Sequence, residues 1–166
     1  MHDAVQPREQ VVAPEEQPDV VSNPQHNTDS GVHIDLYCDG ASRGNPGPAA
    51  VGIVFVDHAS GKVLAKAFKA IGQATNNVAE YEAIRRALEA AYKAYKATTV
   101  RVYSDSQLVI RQLNHEWQVK NENLQSLLEE VEILAESFDK VMYLERPREH
   151  PMIQLADQGA NEALDA

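Results

Sequence analysis

The sequence predicts an α/β domain: a five-stranded mixed sheet, its first three strands an antiparallel meander, flanked by helices. The first observation behind this prediction is a series of three strand-like stretches between residues 32 and 69, separated by turn residues. The second is the alternation of helical and strand-like stretches after residue 77, which is typical of parallel strands joined by helices. A hydrophobic content of 43% and a charged content of 24% are ordinary for a globular domain.

The meander is predicted at residues 32–39, 49–57 and 62–69. In the first stretch, apolar and polar residues alternate from Val32 to Asp39, a period of two that is typical of a strand. The segment GNPGP at residues 44–48 and the segment HASGK at residues 58–62 are rich in turn-forming residues. They therefore predict two hairpin connections.

The period of the apolar residues changes from two to that of a helix near residue 77. Residues 77–96 form a predicted helix, because their apolar residues return to one face and most of their charged residues to the opposite face. The rest of the chain predicts a strand at 99–104, helices at 106–116 and 122–136, a last strand at 140–145 and a closing helix at 155–164.

The first 31 residues differ in composition from the rest of the chain. They hold six acidic residues, one basic residue and four of the eight prolines, with almost no apolar periodicity. We therefore expect a disordered acidic tail at residues 1–31 and one folded domain at residues 32–166. The net charge of −10 argues against binding of nucleic acid by bulk charge, so a nucleic-acid partner requires a local site.

The sequence shows no sign of a membrane partner. Its longest apolar run, residues 49–56, is too short to cross a bilayer, and its first residues lack the basic and apolar segments of a secretory signal. Cys38 is the only cysteine, which excludes an internal disulfide and a cysteine-based zinc site. We expect Cys38 to be a small buried residue in a cytoplasmic protein.

Glu80 is an acidic residue on the apolar side of the helix at residues 77–96. It lies one turn before Ile84 and therefore points with the residues that face the sheet. A carboxylate in this position is costly unless another group compensates its charge. The alternative is a residue near the helix N-terminus that the helix dipole favours and that reaches solvent.

Three further acids occur where a strand ends or a helix starts: Asp39, Asp105 and Asp157. Each has a structural alternative, as a turn residue, an N-cap and a helix-dipole partner respectively. In α/β sheets such positions gather at one edge, where ligands bind. Four carboxylates there would repel one another unless divalent cations were bound, and Mg²⁺ suits oxygen ligands best. Two such ions about 4 Å apart can promote phosphodiester cleavage.

Four segments of the chain, in this order and spacing, resemble the acidic motifs of type 1 ribonuclease H. They are YCDGASRGNPGPAAVG, TNNVAEYEAIRRALEAA, VYSDSQLVIRQLN and LADQGANEAL, and the resemblance covers residues 32–165. It implies the RNase H-like fold and an endonuclease that cuts the RNA strand of RNA–DNA hybrids with two Mg²⁺ ions, which Mn²⁺ can replace. The products would carry 5′-phosphate and 3′-hydroxyl ends. The matching metal-binding and catalytic acids are Asp39, Glu80, Asp105 and Asp157.

The resemblance also implies a set of residues that contact the substrate. Main-chain and short polar groups after the first acid would contact 2′-hydroxyls of the RNA strand, an asparagine pair and a glutamine would reach the minor groove, and a threonine would contact a phosphate. Helix capping is the alternative for the asparagine pair. The matching positions are Gly40, Ala41, Ser42, Arg43, Asn45, Thr75, Asn76, Asn77 and Gln107.

The chain resembles the shorter, archaeal and actinobacterial-type branch of the family. The basic helix and loop of other members are replaced by the segment NHEWQVKNENLQSLLEEVEILAESF, which leads directly into an acidic helix. Some members of the branch also cut double-stranded RNA, so both duplexes remain open as substrates. A monomer is expected.

Two interpretations of His150 are open, and two other classes of function compete with ribonuclease H. Many family members carry a mobile-loop histidine that assists product release or proton transfer, whereas an exposed loop histidine without such a role is the preferred interpretation of His150. A proofreading-type exonuclease opens with Asp-x-Glu, but Asp39 is followed by Gly40 and Ala41. A non-catalytic hybrid-binding module is the other alternative, and the presence of all four acids argues against it.

Overall fold

The computed structural model describes residues 31–166, so the predicted tail lies outside the described residues except for Gly31. The elements follow the predicted order of three strands and then alternating helices and strands. None of the helices in this part of the chain is long and apolar enough to cross a membrane. The elements are β1 Val32–Ser42, β2 Gly47–Asp57, β3 Val63–Ala74, α1 Asn76–Tyr95, β4 Ala97–Ser104, α2 Gln107–Leu113, α3 Glu122–Ala135, β5 Lys140–Glu145 and α4 Pro151–Asp165.

The five strands form one mixed sheet in the order β3-β2-β1-β4-β5. Strands β1, β2 and β3 pair antiparallel, as the predicted hairpins require, whereas β4 pairs parallel to β1 and β5 parallel to β4. The predicted fold class is therefore confirmed. Because β1 lies at the centre, its C-terminal end is next to the end of β4, where parallel strands present their ligand-binding edge.

The two faces of the sheet are covered by different helices. Alternate residues of β1, including Ile34 and Leu36, enter the main core with residues of α1 and α3. On the opposite face, Tyr37 packs in a smaller cluster with Ala156 of α4. Cys38 is fully buried on the α1 side, as expected. The period of two therefore places Asp39, like Tyr37, on the α4 face.

Helix caps determine where three of the helices begin. The side chain of Thr75 accepts a hydrogen bond from the main-chain N–H of Val78 at the start of α1, and Asn121 does the same for Leu124 at the start of α3. His150 caps α4, and Pro151 follows at the first helical position, where its missing N–H needs no partner.

Four strands extend past their predicted bounds, and the largest extensions are at the C-terminal ends of β1 and β3. Strand β1 continues three residues past Asp39 to Ser42, because Gly40 to Ser42 pair with Val51 to Ala49 of β2. Strand β3 continues to Ala74, because β2 supplies partners as far back as Gly47. Small and polar residues in these extensions obscure the alternation that sequence analysis relies on.

Two helices differ from their predicted bounds by more than one residue at an end. Helix α4 begins at Pro151 rather than at residue 155, since the cap from His150 and the fixed φ of proline start the helix one turn earlier. Helix α2 ends at Leu113 rather than at residue 116, and His115 follows with a left-handed backbone, φ 60°. A helix cannot continue through that conformation.

Candidate active site

Four acidic side chains from four elements meet at the C-terminal end of β1. Asp39 lies within β1, Glu80 in the second turn of α1, Asp105 directly after β4, and Asp157 in α4. Carboxylate oxygens of Asp39, Glu80 and Asp105 all lie within 4.8 Å of one another. The carboxyl of Asp157 is close enough to that of Asp39 to hydrogen-bond with it when one of the two is protonated.

Two glycines allow helices to approach β1 and β2 closely from opposite faces. A Cβ on Gly40 would overlap the main chain of Ala79, so the main chain of α1 packs directly against the main chain of β1. A Cβ on Gly52, the ladder partner of Asp39, would overlap the main-chain carbonyl of Ala156 in α4. The missing side chains therefore bring the residues after Ala79 and Ala156, two of the four acids, to the end of β1.

Glu80 faces the strand rather than solvent. Its Oε1 atom accepts a hydrogen bond from the main-chain N–H of Gly40 at 3.1 Å. Burial and the nearby charge of Asp105 raise the pKa of Glu80 to about 8, although the bond from Gly40 acts in the opposite direction. The position deduced from the helix period is thus observed, and the carboxylate belongs to the acidic cluster.

The N-cap of α2 is Ser106 and not Asp105. The hydroxyl of Ser106 accepts from the main-chain N–H of Val109 at 3.2 Å, while the hydroxyl of buried Ser104 accepts from the N–H of Ser106 at 3.0 Å. Capping therefore does not explain the acid at position 105. Burial raises the pKa of the Asp105 carboxyl, and the positive charge of Arg148 partly opposes this.

Asp157 lies six residues after the first residue of α4, beyond the first turn, where the helix dipole has little effect. Asn161 Nδ2 donates to its main-chain carbonyl at 3.0 Å and to its Oδ1 at 3.3 Å. This bond orients the carboxylate from within the helix. The helix dipole therefore does not explain the acid at position 157.

The electrostatics of the cluster fit a bound divalent cation. Asp39 is 5% exposed, and its Oδ2 is buried without a hydrogen-bond partner among the described residues. Burial, the charge of Glu80 and the proximity of Asp157 raise the pKa of Asp39 far above its ordinary value. An orphaned buried oxygen among several carboxylates matches the oxygen-rich coordination that Mg²⁺ and Mn²⁺ adopt.

The predicted substrate residues of β1 and α1 form one hydrogen-bonded rim beside the acids. Asn76 Oδ1 accepts from the main-chain N–H of Ser42 at 3.1 Å, and Asn45 Oδ1 accepts from the N–H of Asn76 at 3.0 Å. The hydroxyl of Ser42 donates to the carbonyl of Ala74 at 2.7 Å. Thr75, rather than either asparagine, caps α1. The capping alternative for the asparagine pair is therefore wrong.

The other predicted substrate residues differ in their surroundings. Asn77 and Gln107 are exposed in the first turns of α1 and α2, and Ala41 is half-buried within β1. Arg43 is engaged with the C-terminal end of α4, where its guanidinium donates to Asp165 Oδ1 at 2.6 Å and to the side chain and carbonyl of Asn161 at 3.3 Å. This exposed ion pair competes with any contact from Arg43 to a nucleic acid.

His150 is half-buried at the end of the β5–α4 loop, so the predicted exposure is wrong, while the absence of a role in product release or proton transfer stays a prediction. Its Nδ1 accepts a hydrogen bond from the main-chain N–H of Met152 at 3.1 Å. Its ring stacks on Tyr37 with a centroid distance of 5.1 Å. The helix that carries Asp157 begins at this residue because a side-chain acceptor and a following proline are both favourable at a helix start.

Comparison with known proteins identifies the family. A family model described as "Reverse transcriptase-like" matches residues 37–163. Ribonuclease HI of Halobacterium salinarum is 42% identical to this chain over 137 residues, which cover 82% of this chain and 67% of that protein. The chain belongs to the type 1 ribonuclease H family.

Solved structures support this ribonuclease H assignment. The crystal structure of RNase H1 from Halobacterium salinarum covers 80% of this chain and 98% of its own, with 42% identity and a TM-score of 0.76. LC11-RNase H1, isolated from compost, was solved in complex with an RNA/DNA hybrid. That structure is 36% identical, covers 80% of this chain and 96% of its own, and has a TM-score of 0.74.

A mycobacterial relative is much longer than this ribonuclease H chain. A bifunctional protein of Mycobacterium tuberculosis is 44% identical over 137 residues, which cover 81% of this chain and 36% of that protein. The chain thus spans about a third of the length of the mycobacterial relatives it matches. Archaeal and mycobacterial relatives agree with the predicted branch, and the link between α2 and α3 at residues 114–121 contains no basic helix.

Two residues outside the predicted set, Gly52 and Arg148, also act on the acidic cluster. Gly52 was not singled out, although a glycine inside the apolar segment AAVGIVFV signals a close backbone approach. Arg148 lies in the β5–α4 loop, and its positive charge acts to lower the pKa of both Glu80 and Asp105. No local pattern relates a residue of the β5–α4 loop to those acids.

Proposed function

We propose that this protein is an endoribonuclease that hydrolyses the RNA strand of RNA–DNA hybrids. The observation that carries the proposal is the convergence of carboxylates from β1, α1 and the end of β4, whose oxygens lie within 4.8 Å. The family assignment supports the same activity. The proposal extends to the whole protein, including residues outside the described domain.

We assign metal binding and catalysis to Asp39, Glu80, Asp105 and Asp157. The orphaned Oδ2 atom of Asp39 and the raised pKa values of its neighbours support Mg²⁺ binding there, and we propose two such ions, which Mn²⁺ can replace. Ions held by these carboxylates would supply activation of a water and stabilisation of the departing 3′ oxygen, which would leave 5′-phosphate and 3′-hydroxyl ends. The Gly40 N–H and the Asn161 amide hold two of the carboxylates in orientation.

We assign recognition of the RNA strand to the rim formed by the β1–β2 loop and the start of α1. Gly40 to Ser42 present main-chain groups beside the acids, and the bond between Ser42 and Asn76 holds this segment against α1. Main-chain groups and amides suit a ribose 2′-hydroxyl, which both donates and accepts. The hybrid complex of LC11-RNase H1 supports this substrate class. The same proposal includes Asn45, Thr75, Asn77 and Gln107. It includes Arg43 only if the ion pair between Arg43 and Asp165 breaks.

A cleavage assay with matched variants tests the proposal. Wild-type protein with Mg²⁺ or Mn²⁺ is expected to cut the RNA strand of a hybrid internally, and Asp105→Asn to reduce cleavage by about 10³-fold or more with its fold intact. Asp139→Asn, which neutralises an exposed acid in the turn before β5, is the control and should cleave normally. A wild-type protein that binds hybrid but never cuts it would instead support the non-catalytic alternative.

Two further experiments test the choice of substrate and the role of the N-terminal tail. Hybrid, double-stranded RNA and an RNA–DNA junction assayed side by side determine whether the enzyme cuts hybrids alone. Deletion of residues 1–30 tests the proposed division into a tail and a domain, and should leave cleavage nearly unchanged. A large loss of cleavage would show that the tail takes part in the reaction.

We also propose a monomer in the cytoplasm, where the single thiol of Cys38 stays reduced.

A further inference from the structure

A row of four stacked side chains crosses the sheet face below the acids. The guanidinium carbon of Arg146 lies 4.6 Å from the ring centre of Tyr103, and that ring lies 4.6 Å from the ring of Tyr37 at an interplanar angle of 13°. The ring of Tyr37 in turn lies 5.1 Å from the ring of His150 at 22°. We call this row the aromatic stack. It joins the end of β5, β4, β1 and the start of α4.

Each aromatic member of the stack lies a few residues before one of the acids along the chain. Tyr37 and Tyr103 are partners in the parallel β1–β4 ladder, and each lies two residues before an acid, Asp39 and Asp105. His150 is the N-cap of the helix that carries Asp157. The stack therefore lies one strand repeat below the two strand acids and at the base of the helix that brings the third.

The stack covers a part of the sheet that α4 does not reach. Helix α4 packs on β1, β2 and β3, and the faces of β4 and β5 on this side lie beyond its main contacts. Tyr103 is nevertheless only 6% exposed, since Tyr37 and Arg146 lie on either side of it. Flat rings in contact resist sliding, and offset stacking and cation–π contact stabilise this arrangement beyond the burial of area.

We propose that the aromatic stack is a positioning element that keeps the elements carrying Asp39, Asp105 and Asp157 at the spacing needed for metal binding. This inference rests on the proposed function for the role of the acids. The carboxylates repel one another, so β1, β4 and α4 need a connection that opposes their separation. The stack supplies it without touching the metal or the substrate. In this assignment His150 orients α4 and transfers no proton.

Substitutions of Tyr37 test the stack through metal affinity. Tyr37→Leu should raise the dissociation constant for Mn²⁺, measured by isothermal titration calorimetry, about tenfold and lower kcat by a similar factor, with KM for hybrid unchanged. Tyr37→Phe keeps the ring and should stay within about twofold of wild type. Tyr92→Leu is the control, because it removes a distant edge-on contact with Phe138 and should leave metal affinity unchanged.

Substitutions at the two ends of the stack make the test independent of one variant's folding. Arg146→Met should weaken Mn²⁺ binding in the same direction as Tyr37→Leu but less. His150→Asn retains a capping oxygen and removes the ring, so weaker metal binding is expected even though α4 stays capped. Wild-type affinity in folded Tyr37→Leu or in His150→Asn would overturn the proposal, as would equal losses in Tyr37→Phe and Tyr37→Leu.

The metal titration also separates this inference from the proposed function. A wild-type protein that binds Mn²⁺ but cuts no hybrid would contradict the endoribonuclease, while the affinities of the variants would still decide the role of the stack. Normal cleavage with unchanged metal affinity in all the stack variants would contradict the positioning role of the stack and leave the proposed function intact.

Discussion

Asp39 and Gly52 are partners in the β1–β2 ladder, and the missing side chain of Gly52 is what allows α4 to bring Asp157 against Asp39. The carbonyl of Ala156, the residue before Asp157, occupies the space that a Cβ on Gly52 would need. A strand glycine that binds nothing itself therefore controls the distance between two catalytic candidates.

Gly52→Ala is expected to impair cleavage without unfolding the protein. The added methyl group must push α4 away from β2, and a displacement of the order of 1 Å at a catalytic group lowers the rate about 10²-fold. Steady-state kinetics beside a thermal melt measure the two effects. Wild-type kcat in this variant would contradict the importance of the close approach.

The stability of the metal-free protein should fall as the pH rises. Folding raises the pKa values of Asp39, Glu80 and Asp105, so the folded state binds more protons than the unfolded chain at pH values above the ordinary carboxyl pKa. The free energy of unfolding therefore decreases from about pH 4, the ordinary carboxyl pKa, through about pH 8, the raised pKa of Glu80, to about pH 10, the raised pKa of Asp39.

Melting temperatures in EDTA across this range measure the effect. Asp39→Asn removes one titrating group and should flatten the decrease. Mg²⁺ should oppose the decrease by compensating the ionised carboxylates. A melting temperature in EDTA that rises steadily from pH 5 to pH 8 would contradict the raised pKa values.

Glu80→Gln should separate stability from activity. The amide oxygen can still accept from the N–H of Gly40, while the charge that repels Asp105 is lost. The metal-free protein should therefore melt a few degrees higher, as expected for a gain of about 1 kcal/mol. Cleavage should fall by about 10³-fold, because a metal-binding carboxylate is missing. Calorimetry and cleavage assays of the same preparation test both results.

His58→Ala should reduce stability and leave cleavage unchanged. His58 Nδ1 lies 3.0 Å from Oδ1 of Asp35, a carboxylate that is only 7% exposed, near the start of β1 and away from the acidic cluster. Removing the histidine leaves a buried acid without this partner, which costs about 1–3 kcal/mol.

A matched variant controls for the loss of a histidine–carboxylate pair as such. His115→Asn breaks the exposed pair with Glu132, and asparagine tolerates the left-handed backbone at this position. Its effect on the free energy of unfolding should be less than about 1 kcal/mol. Equal losses in the two variants, measured by urea unfolding, would contradict the role of burial at Asp35.

Local chemistry in the sequence was sufficient for the strand and helix types and for the choice of the four acids. Alternation in β1 and the helical period of α1 arise from which face of each element is buried, and this information is carried by neighbouring residues. The same period put Glu80 on the sheet side of α1, where its Oε1 accepts from Gly40.

Only the tertiary structure decided how α4 meets the sheet and what surrounds His150. The contact over Gly52 and the stack of His150 with Tyr37 join residues that are far apart in the chain. Such contacts depend on packing between elements, and a local sequence pattern carries no information about that packing. The acids that meet at the end of β1 were therefore predictable from the sequence, whereas their spacing depends on contacts between elements that are distant in the sequence.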